Sequence, residues 1–280
     1  MQAVSAQNEM LRRAKAAVRG FCPKPLLLWR EARYFERYGE RELRLVRHLC
    51  HRERDAVDVG AHEGSYVHFM KRHARRVYAF EPVPSLAEAL AWKFAPRVVV
   101  RNIALSRESG TAILRVPLID GAPLTGFASL NGGAAAAATF AEIAVQTRPL
   151  DEVFAGDAGF IKIDVEGHEE AVLDGAAKTI ARCRPRLLIE IEEDRVPGAP
   201  ARIHAFLRRF NYRGYFVCGR TLAAIETFDA ATMQRPADIN GFQAGVQRTS
   251  FDRYCNNFLF VADEEAEPLS ARIAAALPRI

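Results

Sequence analysis

The run Phe160-Ile161-Lys162-Ile163-Asp164-Val165-Glu166-Gly167-His168-Glu169 sets Lys162, Asp164 and Glu166 at alternate positions between apolar residues. A period of two belongs to a β-strand, and here it gathers polar groups at the strand's carboxyl end. Burying that many charges costs free energy unless they pair, and a cleft gives a reason to keep them. A carboxylate in such a cleft can take the proton of a hydroxyl. Asp164 is the candidate base, with Lys162 and Glu190 as candidates to orient it or tune its charge. His168 and His62 are alternative bases. The bland reading is a Lys162–carboxylate pair that only orders the turn. Oxygen ligands of this kind also suit a hard divalent ion, although no spacing assigns metal ligands.

A second constellation, Asp58-Val59-Gly60-Ala61-His62-Glu63-Gly64, follows one strand candidate and opens a helix. Glycine at that point lets a ligand approach the backbone beyond the strand end. The spacing DxGxxxG differs from the GxGxxG that cradles a dinucleotide pyrophosphate. It combines an acidic residue with a short glycine turn, which suits a ligand with a cationic amino-acid end and no phosphate. Glu81 ends the next strand, where a carboxylate can accept hydrogen bonds from both ribose hydroxyls of a nucleoside. Asn102 ends a third. Together these residues specify a nucleoside pocket and leave an NAD-type cofactor open.

The elements that must hold these residues alternate. Strand candidates are Ala56-Val57-Asp58-Val59, Val77-Tyr78-Ala79-Phe80, Val98-Val99-Val100, Phe160-Ile161-Lys162-Ile163, Leu187-Leu188-Ile189-Glu190-Ile191, Tyr215-Phe216-Val217-Cys218 and Phe258-Leu259-Phe260-Val261. Several are continuous apolar runs, as in strands covered by helices on both faces. Helical spacing covers Glu31 to Cys50, Ser65 to Arg72, Ser85 to Phe94, His168 to Cys183 and Ala201 to Phe210, and Ser85 with Glu88 has capping-box spacing. The alternation predicts an α/β, doubly wound sheet. Residues 106–150 and 220–256 break the rhythm with Gly, Ala, Ser and Asn-Gly signals, the first predicting a β-hairpin or lid. Gly121 to Val145 is expected to be a mobile element over the acceptor site, closed by Phe127 and Leu130.

Composition narrows the class. At 280 residues, 49% hydrophobic and 26% charged, the chain fits one large domain with an extension. Five scattered cysteines show no CxxC pair or zinc spacing, which suits a reducing cytoplasm. No apolar run approaches the length of a membrane span and no signal-peptide h-region opens the chain. The net charge of +5 invites a nucleic-acid partner, but the basic residues are spread along the chain, and none is expected. Nothing in the sequence bears on its oligomeric state.

With these residues in view, the chain resembles the FkbM family of S-adenosylmethionine-dependent methyltransferases. The resemblance rests on Asp58-Val59-Gly60-Ala61-His62-Glu63-Gly64, Phe80-Glu81-Pro82, Ile161 to Glu169 and Asn256-Asn257-Phe258-Leu259-Phe260-Val261, and covers about residues 53–262. It implies a Rossmann-like, seven-stranded, mostly parallel sheet with its last strand antiparallel. On this reading residues 1–52 form an N-terminal helical extension, 53–265 the methyltransferase domain and 266–280 a C-terminal tail. It further implies S-adenosylmethionine as cofactor and O-methylation of a sugar, polysaccharide or natural product. Asp58, Gly60, His62 and Gly64 would line the methionine end, Glu81 would hold the ribose, and Asn102 to Ala104 would face the adenine. The rival readings are a nucleotide-linked oxidoreductase on a similar sheet and a nucleic-acid-binding protein or RNA methyltransferase.

Overall fold

The computed structural model describes residues 23–119, 121–130, 139–235, 238 and 254–277. Its strands, in chain order, are β1 Asp55–Val59, β2 Val77–Phe80, β3 Val98–Arg101, β4 Ala104–Leu105, β5 Gly110–Ile119 and β6 Ala122–Pro123. They continue with β7 Phe140–Arg148, β8 Ala158–Ile163, β9 Arg186–Glu190, β10 Tyr212–Cys218, β11 Thr221–Ala224 and β12 Asn257–Ala262. The main sheet has the order β11-β10-β12-β9-β8-β1-β2-β3. From β3 to β10 the strands pair parallel except around β12, which is antiparallel to both β9 and β10.

Strands β1, β8 and β12 are buried along their whole length, as strands covered on both faces must be. Val57, Val59, Ile161, Ile163, Leu187 and Ile189 pack into one apolar cluster. Ala56, Phe160, Leu188, Ala79 and Val77 belong to the cluster on the opposite face. After β1 the chain builds outward through β2 and β3, then returns to β8 on the other side of β1. That reversal opens a crevice at the carboxyl ends of β1 and β8, where open α/β sheets bind ligands.

The sheet has eight strands, so the expected count of seven is corrected. The extra strand is β11, which turns back on β10 after Gly219 and Arg220 and pairs from Cys218↔Thr221 to Tyr215↔Ala224. The helix expected over Glu31 to Cys50 is also revised: a helix runs Lys24–Tyr38, stops at Gly39, and gives way to a 3-10 turn Arg41–Arg44 and a short helix Val46–Leu49. Leu43, Leu45, Val46 and Leu49 join the core of the sheet; residues 1–22 of the expected extension lie outside the described residues.

The helix after β2 spans Pro84–Phe94 with Val83 at its cap and no side-chain cap bond, so the Ser85–Glu88 capping box does not form. Pro84 takes the first turn instead, where its missing N–H costs nothing. The expected helix from His168 to Cys183 is two, Glu169–Asp174 and Ala177–Cys183, broken at Gly175. Residues beyond 265 are helical to Ala276, and Leu269, Ile273 and Leu277 are buried in the core. Among the described residues no helix is long and apolar enough to cross a membrane.

Strands β5 and β7 form an antiparallel hairpin, registered from Gly110↔Thr147 to Pro117↔Phe140, in a second sheet of order β4-β7-β5-β6. Beyond β6 the chain folds back on the hairpin, with Ser129 and Arg115 exchanging two backbone hydrogen bonds of 3.0 Å. The Ser129 hydroxyl also donates to the Glu166 carbonyl at 2.8 Å. This part of the expected mobile element is therefore tied at two places. Residues 131–138 and the Phe127 side chain lie outside the described residues.

Candidate active site

Pairing across the sheet brings together residues that are far apart in the chain. Asp58 on β1 is in register with Lys162 on β8, and Glu190 on β9 with Asn257 on β12. Because side chains alternate along each strand, Asp58, Lys162 and Glu190 share a face. Lys162 is fully buried, with its Nζ 3.6 Å from Asp164, 3.8 Å from Glu190 and 3.3 Å from Asn257 Oδ1. The Tyr66 ring covers it, 5.1 Å from the ammonium. Burial alone would drive the ammonium to neutrality, but Asp164, Glu190, Glu40 and Asp58 together hold it above its ordinary value.

A cavity of about 590 Å³ opens over these groups, lined at the strand ends by Asp58, Gly60, His62, Glu81, Asp164 and Glu190. Its size is within the usual range for a small-molecule site. Gly60 has a φ of +78°, and a Cβ there would sit 1.9 Å from the Asp164 carbonyl oxygen, so the glycine lets the β1 and β8 turns lie against each other. Asp58 is 2% exposed, and its Oδ2 has no hydrogen-bond partner among the described residues. Burial pushes its carboxyl up to about 7 against the pull of Lys162, and Asp164, Glu81 and Glu40 push it the same way.

Glu81 is pinned. The backbone N–H of His62 donates to its Oε2 and that of Val83 to its Oε1, both at 2.8 Å. One carboxylate thus sets the glycine turn and the start of the helix Pro84–Phe94 together. The Asn102 amide nitrogen donates to the carbonyls of Glu81 and Pro82, both at 2.9 Å. It braces the strand end from outside, and Ile103, Ala104 and Leu105 line the cavity where Asn102 does not. Gly64 likewise stands off the cavity, facing the Leu90 and Phe94 side chains. The sequence places Asn102 just past the end of β3 and Gly64 at the start of the helix after β1, and leaves open which of them faces the cavity.

On the opposite wall Glu190 accepts a 2.6 Å hydrogen bond from Asn256. Burial, then the charge of Asp164, raises the Glu190 carboxyl well above its ordinary value. Arg195 spans Glu166 at 2.7 Å and Glu192 at 2.6 Å, and the Tyr254 hydroxyl donates to Glu192 at 3.3 Å. Glu166 holds a left-handed backbone, φ 54°, which is costly for a side chain of its type and is kept at the cavity wall. His168 lies 2.9 Å from the Ser106 hydroxyl and His62 2.9 Å from the Thr125 hydroxyl; burial lowers both imidazoles and keeps them neutral. Sequence reasoning missed Glu40, Tyr66, Thr125 and Arg195, which no motif spacing marks. Among the described residues no group of three or more His, Cys, Asp or Glu side chains is arranged to hold a metal ion.

Glu42 lies near this network, with its Oε2 unpartnered among the described residues. Burial pushes it from an ordinary 4.5 up to about 7, and neighbouring Glu40 adds to the shift. The protonated form is the one that folding favours, so its contribution is fully present below pH 4.5 and is lost as pH rises through about 7. Glu42→Gln is therefore expected to unfold like the wild type at pH 4.5 and to be progressively more stable than it up to about pH 7. Each pH unit in that window is worth at most about 1.4 kcal/mol. Thermal melts of both proteins across the window check this, and parallel curves would disprove it.

Residues 58–214, more than half of the chain, match the Methyltransferase FkbM domain. No curated protein matches the chain. Among solved structures, a methyltransferase FkbM from Methylobacillus flagellatus KT is 20% identical with a TM-score of 0.46, the match covering 74% of this chain. The same match covers 43% of that protein, so this chain spans less than half its length. An rRNA methylase from Streptococcus thermophilus is 10% identical, covering 79% of this chain and 93% of the other, with a TM-score of 0.40. A precorrin-6y C5,15-methyltransferase from Geobacter metallireducens GS-15 is 14% identical, covering 63% and 73%, with a TM-score of 0.37.

Proposed function

The chain belongs to the FkbM methyltransferase family, and from that premise we propose that it transfers the methyl group of S-adenosylmethionine to a hydroxyl of a sugar, polysaccharide or natural product. The observation that carries this reading is the half-buried Asp164 carboxylate, 31% exposed, lining the cavity just past the end of β8, the strand that lies between those of Asp58 and Glu190. The residues present suit the cofactor. Asp58 offers a buried carboxylate oxygen without a partner to a cationic end, Glu81 keeps lone pairs for ribose hydroxyls, and Ile103 and Leu105 offer apolar surface to a base.

When bound, S-adenosylmethionine supplies an electrophilic methyl group. The chain's own part is to align the acceptor, exclude water and remove a proton. Asp164 takes the hydroxyl proton. Glu190, its carboxyl raised well above its ordinary value by burial and held by Asn256, orients the acceptor. Lys162 fixes both carboxyl groups from below. Leu124, Ala128 and Leu130 close the other side and bear on acceptor choice.

The cavity walls also bear on the acceptor's charge. Asp164, Glu166, Glu190, Glu192 and Asp238 line it, while Arg195 is spent on Glu166 and Glu192. Acidic groups outnumber basic ones on this lining, which favours an uncharged polyhydroxylated acceptor over RNA.

Calorimetry and labelled methyl transfer test the reading together. S-adenosylhomocysteine is expected to bind and NAD not to. Glu81→Gln, which puts an amide against one of two backbone N–H donors, is expected to weaken S-adenosylhomocysteine about tenfold. The label is expected in a neutral carbohydrate or natural-product fraction of a cell extract. Incorporation into RNA, or binding of NAD in its place, would overturn it.

A further inference from the structure

Glu40 lies ahead of the matched family domain, yet it lines the cavity beside Asp58 and Tyr66. Its delivery is specific. Gly39 ends the helix Lys24–Tyr38 with no room for a side chain, since a Cβ there would sit 2.5 Å from the Phe35 carbonyl oxygen and 2.6 Å from Leu43. The chain therefore turns tightly, and Glu40 leaves the turn in extended conformation as the cap of Arg41–Arg44. The Tyr66 hydroxyl donates to Glu40 Oε2 at 2.8 Å. Tyr66 is 4% exposed and sits in the first turn of the helix that the glycine loop opens. Glu40 is thereby fastened to the wall that a ligand bound over the glycine loop would touch.

Several acidic groups act on one another here. Asp58, Asp164, Glu190 and Glu40 all act on the buried ammonium of Lys162, and the charge of Glu40 adds to what holds the Asp58 carboxyl up. The Asp58 Oδ2 is buried and unpartnered at the same end of the cavity. Like charges gathered this closely cost free energy, which a cation set between them would recover.

We propose that Glu40, positioned by Tyr66, forms with Asp58 a subsite for the α-ammonium of the cofactor's amino-acid end, so that the segment before the family domain completes the cofactor pocket. This rests on the S-adenosylmethionine reading above and adds to it a residue, a ligand group and a reason for the N-terminal segment to be present.

Two ligands that share the adenosyl group separate the subsite from the rest of the pocket. S-adenosylhomocysteine carries the ammonium, and 5′-deoxy-5′-methylthioadenosine lacks the amino-acid end. For Glu40→Gln in the full chain, calorimetry is expected to show S-adenosylhomocysteine weakened about tenfold or more with methylthioadenosine within about twofold of wild type. Retained methylthioadenosine binding also reports that the site is folded. Tyr66→Phe, which keeps the ring and drops the hydroxyl, is expected to move S-adenosylhomocysteine the same way by a smaller factor. Equal loss for both ligands, or no loss for either, would overturn the role of Glu40 and leave the methyltransferase reading standing. Failure of the wild-type protein to bind any adenosyl compound would overturn both.

Discussion

Asp164→Asn is expected to lower turnover by about 10²–10⁴-fold while S-adenosylhomocysteine binds within about threefold of wild type. The amide has the size of the carboxylate and cannot accept the acceptor's proton. Its backbone is held independently, by the Asp164 N–H to the Val59 carbonyl at 3.0 Å, so the turn over Gly60 keeps its form. Glu190 does not take over, because Asn256 already holds it at 2.6 Å and burial keeps its carboxyl raised whether or not Asp164 is charged. Neutral His168 is engaged with Ser106 at 2.9 Å. Turnover is measured with the best acceptor from the labelling experiment, alongside circular dichroism to confirm the fold. A variant that keeps turnover within about tenfold of wild type would make Asp164 a structural residue and return the base to His168 or Glu190.

Lys162→Met is expected to cost about 3–5 kcal/mol of stability, because it removes the partner of buried carboxyl groups and keeps the aliphatic volume. For a chain of this size that is a fall of roughly 10 °C in Tm. Asp164 and Glu190 lose the ammonium at 3.6 and 3.8 Å, and Asn257 Oδ1 loses a donor at 3.3 Å. A second substitution, Glu190→Gln, should return part of the loss, since one fewer carboxyl group then competes for ionisation. Were packing alone the role of Lys162, the methionine variant would melt within about 1 kcal/mol of wild type, and urea titration distinguishes the cases.

Much of the sheet was legible because its central strands are continuous apolar runs, and such runs need cover on both faces. Strand β8 announced itself by alternating Lys162 and Asp164 with Ile161 and Ile163. That Lys162 would lie against Asp58 was not legible, since register between strands 104 residues apart in the chain is set by packing and leaves no local signal. Direction was hidden in the same way at Asn102, whose strand-end place was readable and whose turn toward the Glu81 and Pro82 carbonyls was not. Helical spacing carried the first helix past Gly39 because Leu43, Val46 and Leu49 continue an apolar rhythm that belongs to separate turns. The four residues of β11 are too few to show a period.

That short strand also alters how the molecule meets its own copies. Without it, β10 would present up to seven residues of unpaired backbone, Tyr212 to Cys218, as a template on which another chain could add a strand. Folding back at Gly219 spends the Tyr215–Cys218 part of that edge within the molecule and leaves outermost a strand of four residues ending in the turn Ile225–Thr227. So short an edge gives an incoming strand little to grip, and the hairpin therefore acts as a guard against edge-to-edge aggregation at the end of the sheet remote from the glycine loop.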